Sequence, residues 1–275
     1  MSSIDRYREF RALHERGCFV IPNPWDAGSA RALEQLGFRA LATTSSGMAW
    51  SMGRVDNHVS LEKALERIRE IVESVGVPVN ADFEGGFAIE PTGVAEHVTR
   101  AVGTGVAGLS IEDSTGDMAN PLFDRALAVE RIAAAREAID ASGVDVLLTG
   151  RSEGFIVGRP DLDETIRRLV AYAEAGADCL YAPGIRSREE IEAVVRAVAP
   201  KPVNVLVGSD FATVASLAEI GVRRISVGGA LARAAWGGFL RAAREIAQDG
   251  TFGGFAGATP FGELEAMFAD GRAAR

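Results

Sequence analysis

The chain has 275 residues, of which 47% are hydrophobic and 24% are charged, and its formal net charge at pH 7 is −9. No stretch approaches the roughly 18 uninterrupted apolar residues that a membrane-spanning helix needs. The negative charge argues against a nucleic-acid partner, because phosphate binding depends on clustered Lys and Arg. With a charged start that lacks a signal-peptide core, these features predict a cytoplasmic protein without a nucleic-acid or membrane partner.

Eight short segments rich in β-branched residues alternate with helical segments along the chain. Strands that alternate with helices pair in parallel, and eight such units favour closure into a barrel. We therefore predict an α/β fold, a (β/α)8 TIM barrel over residues 1–250 with an N-terminal helix. A doubly wound open sheet is the alternative. The predicted strands are 18–22, 39–44, 77–82, 107–113, 145–150, 178–183, 202–207 and 223–228.

Residues 251–275 form a tail after the eighth unit. The tail begins with a Gly-rich linker and continues into a short helical segment around "ELEAMFA". We predict that this C-terminal helical tail lies outside the barrel, where it is a candidate contact between copies of the chain.

Acidic side chains follow four consecutive predicted strands. Active sites of TIM barrels lie at the carboxyl ends of the strands, so these acids should converge at one mouth. Carboxylates held together need a compensating cation or a shared proton, and Mg²⁺ is bound by such oxygen ligands. A metal site is favoured over purely structural ion pairs, which remain the alternative. The acidic residues are Asp56, Asp82, Glu84, Glu112, Asp113 and Glu153, and Arg151 is the cation among them.

Glu112 and Asp113 are adjacent in the fourth predicted strand. Successive side chains of a strand point to opposite sides, so only one of the two can face the mouth. His58 follows Asp56 closely enough to reach the site, but a solvated loop histidine is the favoured interpretation.

Five motifs occur in one order: "TTSSGMAWSMGRVD", "NADFEGGF", "AGLSIEDS", "TGRSE" and "AGADCLYAPG". Together they resemble the isocitrate lyase and phosphoenolpyruvate mutase superfamily, in particular its carboxyphosphonoenolpyruvate phosphonomutase-like and oxaloacetate decarboxylase-like members. The resemblance covers nearly the whole chain and implies an α/β barrel that binds Mg²⁺, with Mn²⁺ as a substitute. It also implies small 2-oxo or 2-hydroxy acid substrates, an enolate-like intermediate, and a homo-oligomer, either a dimer or a tetramer.

The resemblance also implies roles for individual residues. Asp82 corresponds to the direct metal ligand, and Asp56, Glu84 and Glu112 correspond to residues that hold metal-bound waters. Glu84 stands where Asp is usual in the superfamily. The implied catalytic residues are Arg151, Asp56 and Glu112, and the implied substrate-binding residues are Ser46, Gly47, Met48, Asp26, Arg151 and Asn204.

The gate loop, "EDSTGDMANPLFD" at residues 112–124, departs from the superfamily pattern. The lyases carry "KKCGH" there, with a catalytic Cys, whereas this loop has no Cys, Lys or His. The mutase pattern places Lys, Asn and Ser at the positions of Met118, Asn120 and Pro121, and only the Asn is retained.

These observations predict a Mg²⁺-dependent carbon–carbon lyase or decarboxylase that stabilises the enolate of a small 2-oxo acid such as oxaloacetate. A P–C mutase or hydrolase of the same superfamily is one alternative. A non-catalytic protein that binds 2-oxo acids is the alternative from another class.

Overall fold

The computed structural model describes residues 3–269, and its centre is an eight-stranded parallel sheet. All eight predicted strands are confirmed, each shorter than its sequence pattern. The strands are β1 (Phe19–Ile21), β2 (Leu41–Ala42), β3 (Val79–Asp82), β4 (Gly108–Glu112), β5 (Leu147–Arg151), β6 (Cys179–Tyr181), β7 (Val203–Leu206) and β8 (Arg224–Ser226).

Helices follow each strand and surround the sheet. They are α1 (Ser3–Glu15), α2 (Ala27–Gln35), α3 (Ser45–Ser51), α4 (Leu61–Ser74), α5 (Pro91–Val102), α6 (Arg125–Ala141), α7 (Leu162–Glu174), α8 (Arg188–Val198), α9 (Val214–Glu219), α10 (Ala230–Asp249) and α11 (Phe261–Ala269), with a 3₁₀ helix at Gly253–Gly257 between the last two.

The sheet closes into a barrel. The strands lie in the order β1-β8-β7-β6-β5-β4-β3-β2, so that β1 and β2 are the two ends of the pairing. The N–H of Ala42 on β2 donates to the carbonyl of Pro22, directly after β1, at 3.0 Å, and this bond joins the two ends. The fold is thus a (β/α)8 TIM barrel, and the open-sheet alternative is wrong.

Apolar side chains at helical spacing hold the outer helices on the barrel, and α4 illustrates the pattern. Ser60 caps its N-terminus by accepting a hydrogen bond from the N–H of Lys63. Leu65, Ile68 and Val72 lie on one face and are buried in the main core. Each such buried side chain contributes roughly 1.5–3 kcal/mol. This layer positions the strand ends, and therefore the site, by packing from outside the barrel.

The interior of the barrel is polar below its mouth and contains a buried guanidinium. Arg224 on β8 is 3% exposed. Its Nε donates to Oδ1 of Asn204 at 2.9 Å, and its Nη2 donates to Oγ1 of Thr149 at 3.0 Å. Its Nη1 lies 3.3 Å from Nε2 of His14 on α1. Since Nδ1 of His14 lies 2.8 Å from the carbonyl of Phe10, the neutral imidazole with its proton on Nδ1 satisfies both neighbours.

We expect His14 to make the protein sensitive to mild acid. Burial, reinforced by Arg224 and Arg11, lowers the pKa of His14 to about 3. The unfolded chain therefore binds more protons than the folded chain between pH 6.5 and about 3, so stability falls as pH falls through this window. His14→Gln keeps an acceptor for Arg224 and removes the titration. Chemical unfolding of both proteins at pH 7 and pH 4.5 should show a smaller loss in the variant, and equal losses would contradict the expectation.

The C-terminal part of the chain exposes large apolar side chains. Along the 20 residues of α10, Ala232 is the buried residue, whereas Trp236 is 38% and Phe239 60% exposed. The predicted C-terminal helix is confirmed as α11, which contacts α2 through the hydrogen bond from Nη2 of Arg31 to the carbonyl of Phe268 at 2.9 Å. Residues 270–275 of the predicted tail lie outside the described residues.

Among residues 3–269, no helix is both long and apolar enough to cross a membrane.

Candidate active site

Arg151, the last residue of β5, lies at the centre of the barrel mouth. Its Nη1 is 3.1 Å from Oδ1 of Asp82 and 3.2 Å from Oε2 of Glu112, and its Nε contacts Oε1 of Glu153. Although burial alone would lower the pKa of this guanidinium, Glu153, Glu112 and Asp82 raise it well above its usual value. Arg151 is therefore a permanent cation that gathers carboxylates from three strand ends.

Asp82 ends β3 and is oriented by two neighbours from the β2 end. Its Oδ2 accepts the N–H of Ser45 at 2.9 Å, and its own N–H donates to Oγ1 of Thr43 at 2.9 Å. The N–H of Ser45 is free for this contact because it lies in the first turn of α3, where helical N–H groups have no partner within the helix. Asp82 is thus held at the mouth with defined orientation, as a metal ligand requires.

Glu84 lies on the turn that follows β3. Its φ of 47° is in the left-handed region, which is uncommon for a residue with a side chain. Burial, together with the charges of Asp82 and Asp56, raises the pKa of Glu84 to about 8. The turn is supported from α6 by Arg131, which is 1% exposed and donates to the carbonyls of Gly85, Ala88 and Ile89. The backbone of the turn is therefore fixed from below.

Glu112 and Asp113 point to opposite sides, as predicted. Burial, partly offset by Arg151, raises the pKa of Glu112 well above its usual range. Asp113 instead accepts hydrogen bonds from Nη1 of Arg168 at 3.1 Å, from the hydroxyl of Tyr172 at 2.7 Å and from the N–H of Glu153 at 2.7 Å. Glu112 belongs to the mouth, and Asp113 fixes the strand end behind it.

Asp56 lies on the loop between α3 and α4 and completes the acidic cluster. Burial and the charge of Asp82 raise the pKa of Asp56, while Ser45 and the N–H of Asn57 lower it through hydrogen bonds. His58 is exposed, with its Nδ1 2.9 Å from the carbonyl of Asp56. This position fits a solvated loop histidine.

The segment from Ser46 to Met48 lies in α3, beside the mouth. Oγ of Ser46 is 3.1 Å from Oγ1 of Thr44, and Ser46 lines the central cavity. The N–H of Gly47 donates to Oγ1 of Thr44 at 3.4 Å, and that of Met48 donates to the carbonyl of Thr44 at 3.0 Å. These two N–H groups serve the first turn of the helix, so the geometry supports Ser46 as a substrate contact more than its two neighbours.

Gly47 also has a packing role. A Cβ at this position would lie 2.7 Å from Cγ2 of Thr44 and 2.9 Å from Cβ of Trp25. These distances are shorter than real Cβ contacts, so a side chain would displace α3. The glycine allows α3 to approach the loop after β1 closely.

The remaining two residues implied at the substrate occupy different places. Asn204 on β7 is 2% exposed, lines the central cavity and donates through Nδ2 to Oγ of Ser226 at 2.9 Å. Asp26 caps α2, where its Oδ1 accepts the N–H and the hydroxyl of Ser29, both at 2.7 Å. Asp26 therefore caps α2 through Oδ1, and Oδ2 takes no part in these two bonds.

A central cavity of about 180 Å³ connects these groups inside the mouth. Its wall includes Asp82 and Arg151 at the strand ends and reaches down to Arg224 in the interior. Tyr181, at the end of β6, also lines it and places its ring 5.2 Å from the guanidinium carbon of Arg151. A small acid fits such a space, with cationic groups above and below it.

The oxygen atoms at the mouth are the ligand type that Mg²⁺ prefers. Within residues 3–269, no three acidic, His or Cys side chains converge into a complete ligand cluster, because Arg151 lies between the carboxylates. Mg²⁺ does not require such a cluster, since it usually binds one or two carboxylates and keeps several waters. Burial is the first cause of the raised pKa values of Glu84 and Asp56, and the charge of Asp82 adds to both; a divalent cation would oppose these shifts. The oxygen donors at the mouth therefore fit Mg²⁺.

The gate loop forms a short hairpin above the mouth. Ser114 and Leu122 form an antiparallel bridge, and the N–H of Thr115 donates to the carbonyl of Pro121 at 3.1 Å. The stem is fixed where the N–H of Phe123 donates to the carbonyl of Asp113 at 2.9 Å. Its tip is exposed, and Met118 is 91% exposed. The loop and the mouth enclose an outer cavity of about 500 Å³.

Three residues that shape the site were not predicted from the sequence. Ser45 orients Asp82 through its backbone N–H, which residue type does not reveal. Arg131 supports the Glu84 turn from α6. In the sequence it is an arginine in a helical segment, and nothing there distinguishes it from the exposed arginines. Tyr181 ends a predicted strand, and this position at the carboxyl end of β6 was the available signal.

Comparison with known proteins places the geometry in context. The family model described as phosphoenolpyruvate phosphomutase matches residues 10–247. An uncharacterised protein of Mycobacterium tuberculosis (strain ATCC 25618 / H37Rv) is 33% identical over 263 residues, which span 95% of this chain and 96% of that protein. Oxaloacetate decarboxylase of Bradyrhizobium diazoefficiens is 31% identical over 188 residues, which span 66% of this chain and 64% of that enzyme.

Solved structures agree with the fold. A candidate lyase/mutase from Burkholderia cenocepacia J2315 is 50% identical, covers 97% of each chain and superposes with a TM-score of 0.95. A phosphonopyruvate hydrolase in complex with oxalate and Mg²⁺ is 26% identical, covers 98% of this chain and 96% of that chain, and has a TM-score of 0.84.

Proposed function

Because the chain belongs to the phosphoenolpyruvate phosphomutase family, within the superfamily of lyases, mutases and hydrolases that includes isocitrate lyase, we propose that it cleaves a carbon–carbon bond of a small 2-oxo acid through an enolate. Oxaloacetate decarboxylation, or a related retro-aldol cleavage, is the proposed reaction. The observation that supports this reaction most strongly is Arg151, a cation with an 18% exposed side chain that is held among carboxylates at the wall of a small cavity.

The residues of the chain have separate tasks in this proposal. Arg151 orients the substrate carboxylate through the donors of its planar guanidinium. Ser46 adds a hydroxyl donor at the cavity wall, and Asn204 fixes the lower side of the cavity. The guanidinium of Arg151 lies over the Tyr181 ring, which borders one side of it. These groups hold the acid in one orientation, so that the reacting bond is presented to the acidic cluster.

We propose Mg²⁺ as the metal, with Mn²⁺ as a substitute. Asp82 would bind it directly, and Asp56, Glu84 and Glu112 would hold its waters. When bound, the ion would act as a Lewis acid toward the 2-oxo group. The relative that was solved with oxalate and Mg²⁺ supports this choice, and so does the crowding of carboxylates at the mouth.

The gate loop distinguishes between possible reactions. Cleavage of isocitrate or methylisocitrate leaves a succinate-type carbanion that needs a proton from the enzyme. In the loop, the hydroxyls of Ser114 and Thr115 are poor acids, and the loop has no Cys, Lys or His. Decarboxylation makes a lighter demand, because CO₂ leaves without a proton and water can protonate the pyruvate enolate.

We therefore expect oxaloacetate to be converted with a higher kcat/KM than isocitrate or methylisocitrate. Steady-state assays of the three substrates at one pH and one Mg²⁺ concentration test this order. A higher value for isocitrate or methylisocitrate would contradict the proposal and would place an unrecognised acid at the site.

We also propose that the chain forms a homo-oligomer through α10 and the segment after it. In a closed barrel the eighth helix normally covers the sheet, whereas α10 leaves Trp236 and Phe239 exposed. Their rings pack together at 5.5 Å, and Phe252 and Phe255 continue the apolar surface in the tail. An apolar surface of this kind on one chain is typical of a protein–protein contact.

This proposal predicts that Trp236→Ala combined with Phe239→Ala shifts the protein to a smaller species. Sedimentation or light scattering of the variant and the wild type measures the change. A wild-type monomer, or a variant of unchanged mass, would contradict the proposed interface.

A further inference from the structure

A second cavity opens beside the central one. Its volume is about 370 Å³, and it shares Ser46, Asp56 and Gly229 with the wall of the central cavity. It extends over the ends of β6, β7 and β8, away from Asp82. A ligand held at Arg151 can therefore extend into this space.

Two arginines line the second cavity, Arg186 after β6 and Arg233 in α10. Both side chains are exposed, and within residues 3–269 neither makes an ion pair. Exposed arginines without ion pairs also occur elsewhere on the surface, so their position is the informative point. In a chain with a net charge of −9, two unpaired cations beside the catalytic cavity create a local site for an anion.

The backbone presents both arginines from fixed positions. Arg186 lies between Ile185, which is buried, and Ser187, which caps α8 by accepting the N–H of Glu190 at 3.2 Å. The N–H of Arg233 donates to the carbonyl of Gly229 at 2.9 Å, and its neighbour Ala232 is buried. Fixed backbones with free guanidinium groups are suited to bind a ligand, because little ordering of the chain is needed.

The acid in the cavity wall does not neutralise these cations. Asp56 is the carboxylate among the described lining residues. Burial and Asp82 raise its pKa, and the cation that opposes this shift is Arg151. Asp56 is therefore coupled to the acidic cluster of the central cavity.

We propose that Arg186 and Arg233 form a subsite for a second carboxylate of the substrate, so that the chain acts on 2-oxo diacids. This inference rests on the proposed function, because it takes the first carboxylate to be bound at Arg151. Each guanidinium offers paired donors that match a carboxylate. The two cavities together then bind the two carboxylates of one diacid.

Binding of two inert acids of equal chain length tests the subsite without any turnover. 2-Oxopentanedioate and 2-oxopentanoate differ in a terminal carboxylate against a methyl group. With saturating Mg²⁺, calorimetry should give a Kd about tenfold lower for the diacid, the ratio expected for a charged hydrogen-bond pair. Arg186→Gln and Arg233→Gln should each reduce this ratio at least threefold, by weakening the diacid alone. Arg69→Gln, an exposed arginine on α4, is the matched control and should keep the full ratio.

Three results would overturn the proposal: a wild-type ratio below threefold, no binding of either acid, or variants that weaken both acids equally. The monoacid serves as the internal check on folding, because a misfolded variant would lose it too. Oxaloacetate turnover is measured separately. If the protein prefers the diacid but does not convert oxaloacetate, the proposed function is wrong and the subsite stands. If it converts oxaloacetate but shows no preference for the diacid, the subsite is wrong and the proposed function stands.

Discussion

Asp82→Ala is expected to lower Mg²⁺-dependent turnover of oxaloacetate by about a hundredfold to a thousandfold, the scale on which loss of a transition-state charge contact acts. The N–H of Ser45 and the guanidinium of Arg151 both donate hydrogen bonds to this carboxylate and orient it, so the substitution removes a proposed metal ligand that is already in position. The fold should persist, because one member of a crowded carboxylate set is removed while Arg151 keeps Glu112 and Glu153.

Oxalate binding separates a metal effect from a folding effect in this variant. Calorimetry with Mg²⁺ and with EDTA should show metal-dependent binding of oxalate in the wild type and none in Asp82→Ala. Asp145→Ala is the control, since Asp145 is an exposed acid that pairs with Arg11 before the start of β5. Equal oxalate affinity with Mg²⁺ and with EDTA in the wild type would remove the metal from the proposal.

Arg151→Lys is expected to weaken oxalate binding at least tenfold, about 1.5 kcal/mol or more, although the charge is retained. One guanidinium contacts Asp82 and Glu112 through Nη1 and Glu153 through Nε. An ammonium group is a point charge and cannot span these directions while also binding a substrate carboxylate. An unchanged Kd would show that Arg151 is structural.

Arg151→Met completes the comparison because it removes the charge and keeps an unbranched side chain. Breaking a buried ion pair from one side typically costs about 3–5 kcal/mol. Glu112 and Glu153 can reduce this loss by taking up protons, so the destabilisation should be larger at pH 8 than at pH 5. Urea unfolding at the two pH values measures the difference, and a loss that is independent of pH would contradict the role of Arg151 as their counter-charge.

The sequence predicted the barrel because strand and helix periodicities are local properties. The alternation of eight apolar segments with helices survives in β1 to β8, although each strand is shorter than its pattern. The carboxylates at the mouth followed from the same reasoning, since parallel strands bring their carboxyl ends together. Strand alternation also required that only one of Glu112 and Asp113 could face the mouth, and the hydrogen bonds of Asp113 identify Glu112 as that residue.

Other features depend on contacts between segments far apart in the chain. The apolar pattern of α10 predicts a helix, but it does not show that Trp236 stays uncovered within one chain. The motif pointed to Asp26 as a substrate residue but did not show that its Oδ1 also caps α2 at Ser29. Arg186 and Arg233 gain their significance from the shape of a shared cavity, which neither loop encodes alone.

The construction of the gate loop has a consequence for how new specificities could arise. Its two ends are joined by the Ser114–Leu122 bridge, and the base is tied by Phe123 to Asp113. Loops of other lengths and compositions that begin and end at this bridge would meet the same anchor, and the entropic cost of a longer loop grows only slowly. The part of the loop between Ser114 and Leu122 can therefore be replaced as one segment. A replacement can bring a new acid or base to the mouth while the barrel remains unaltered.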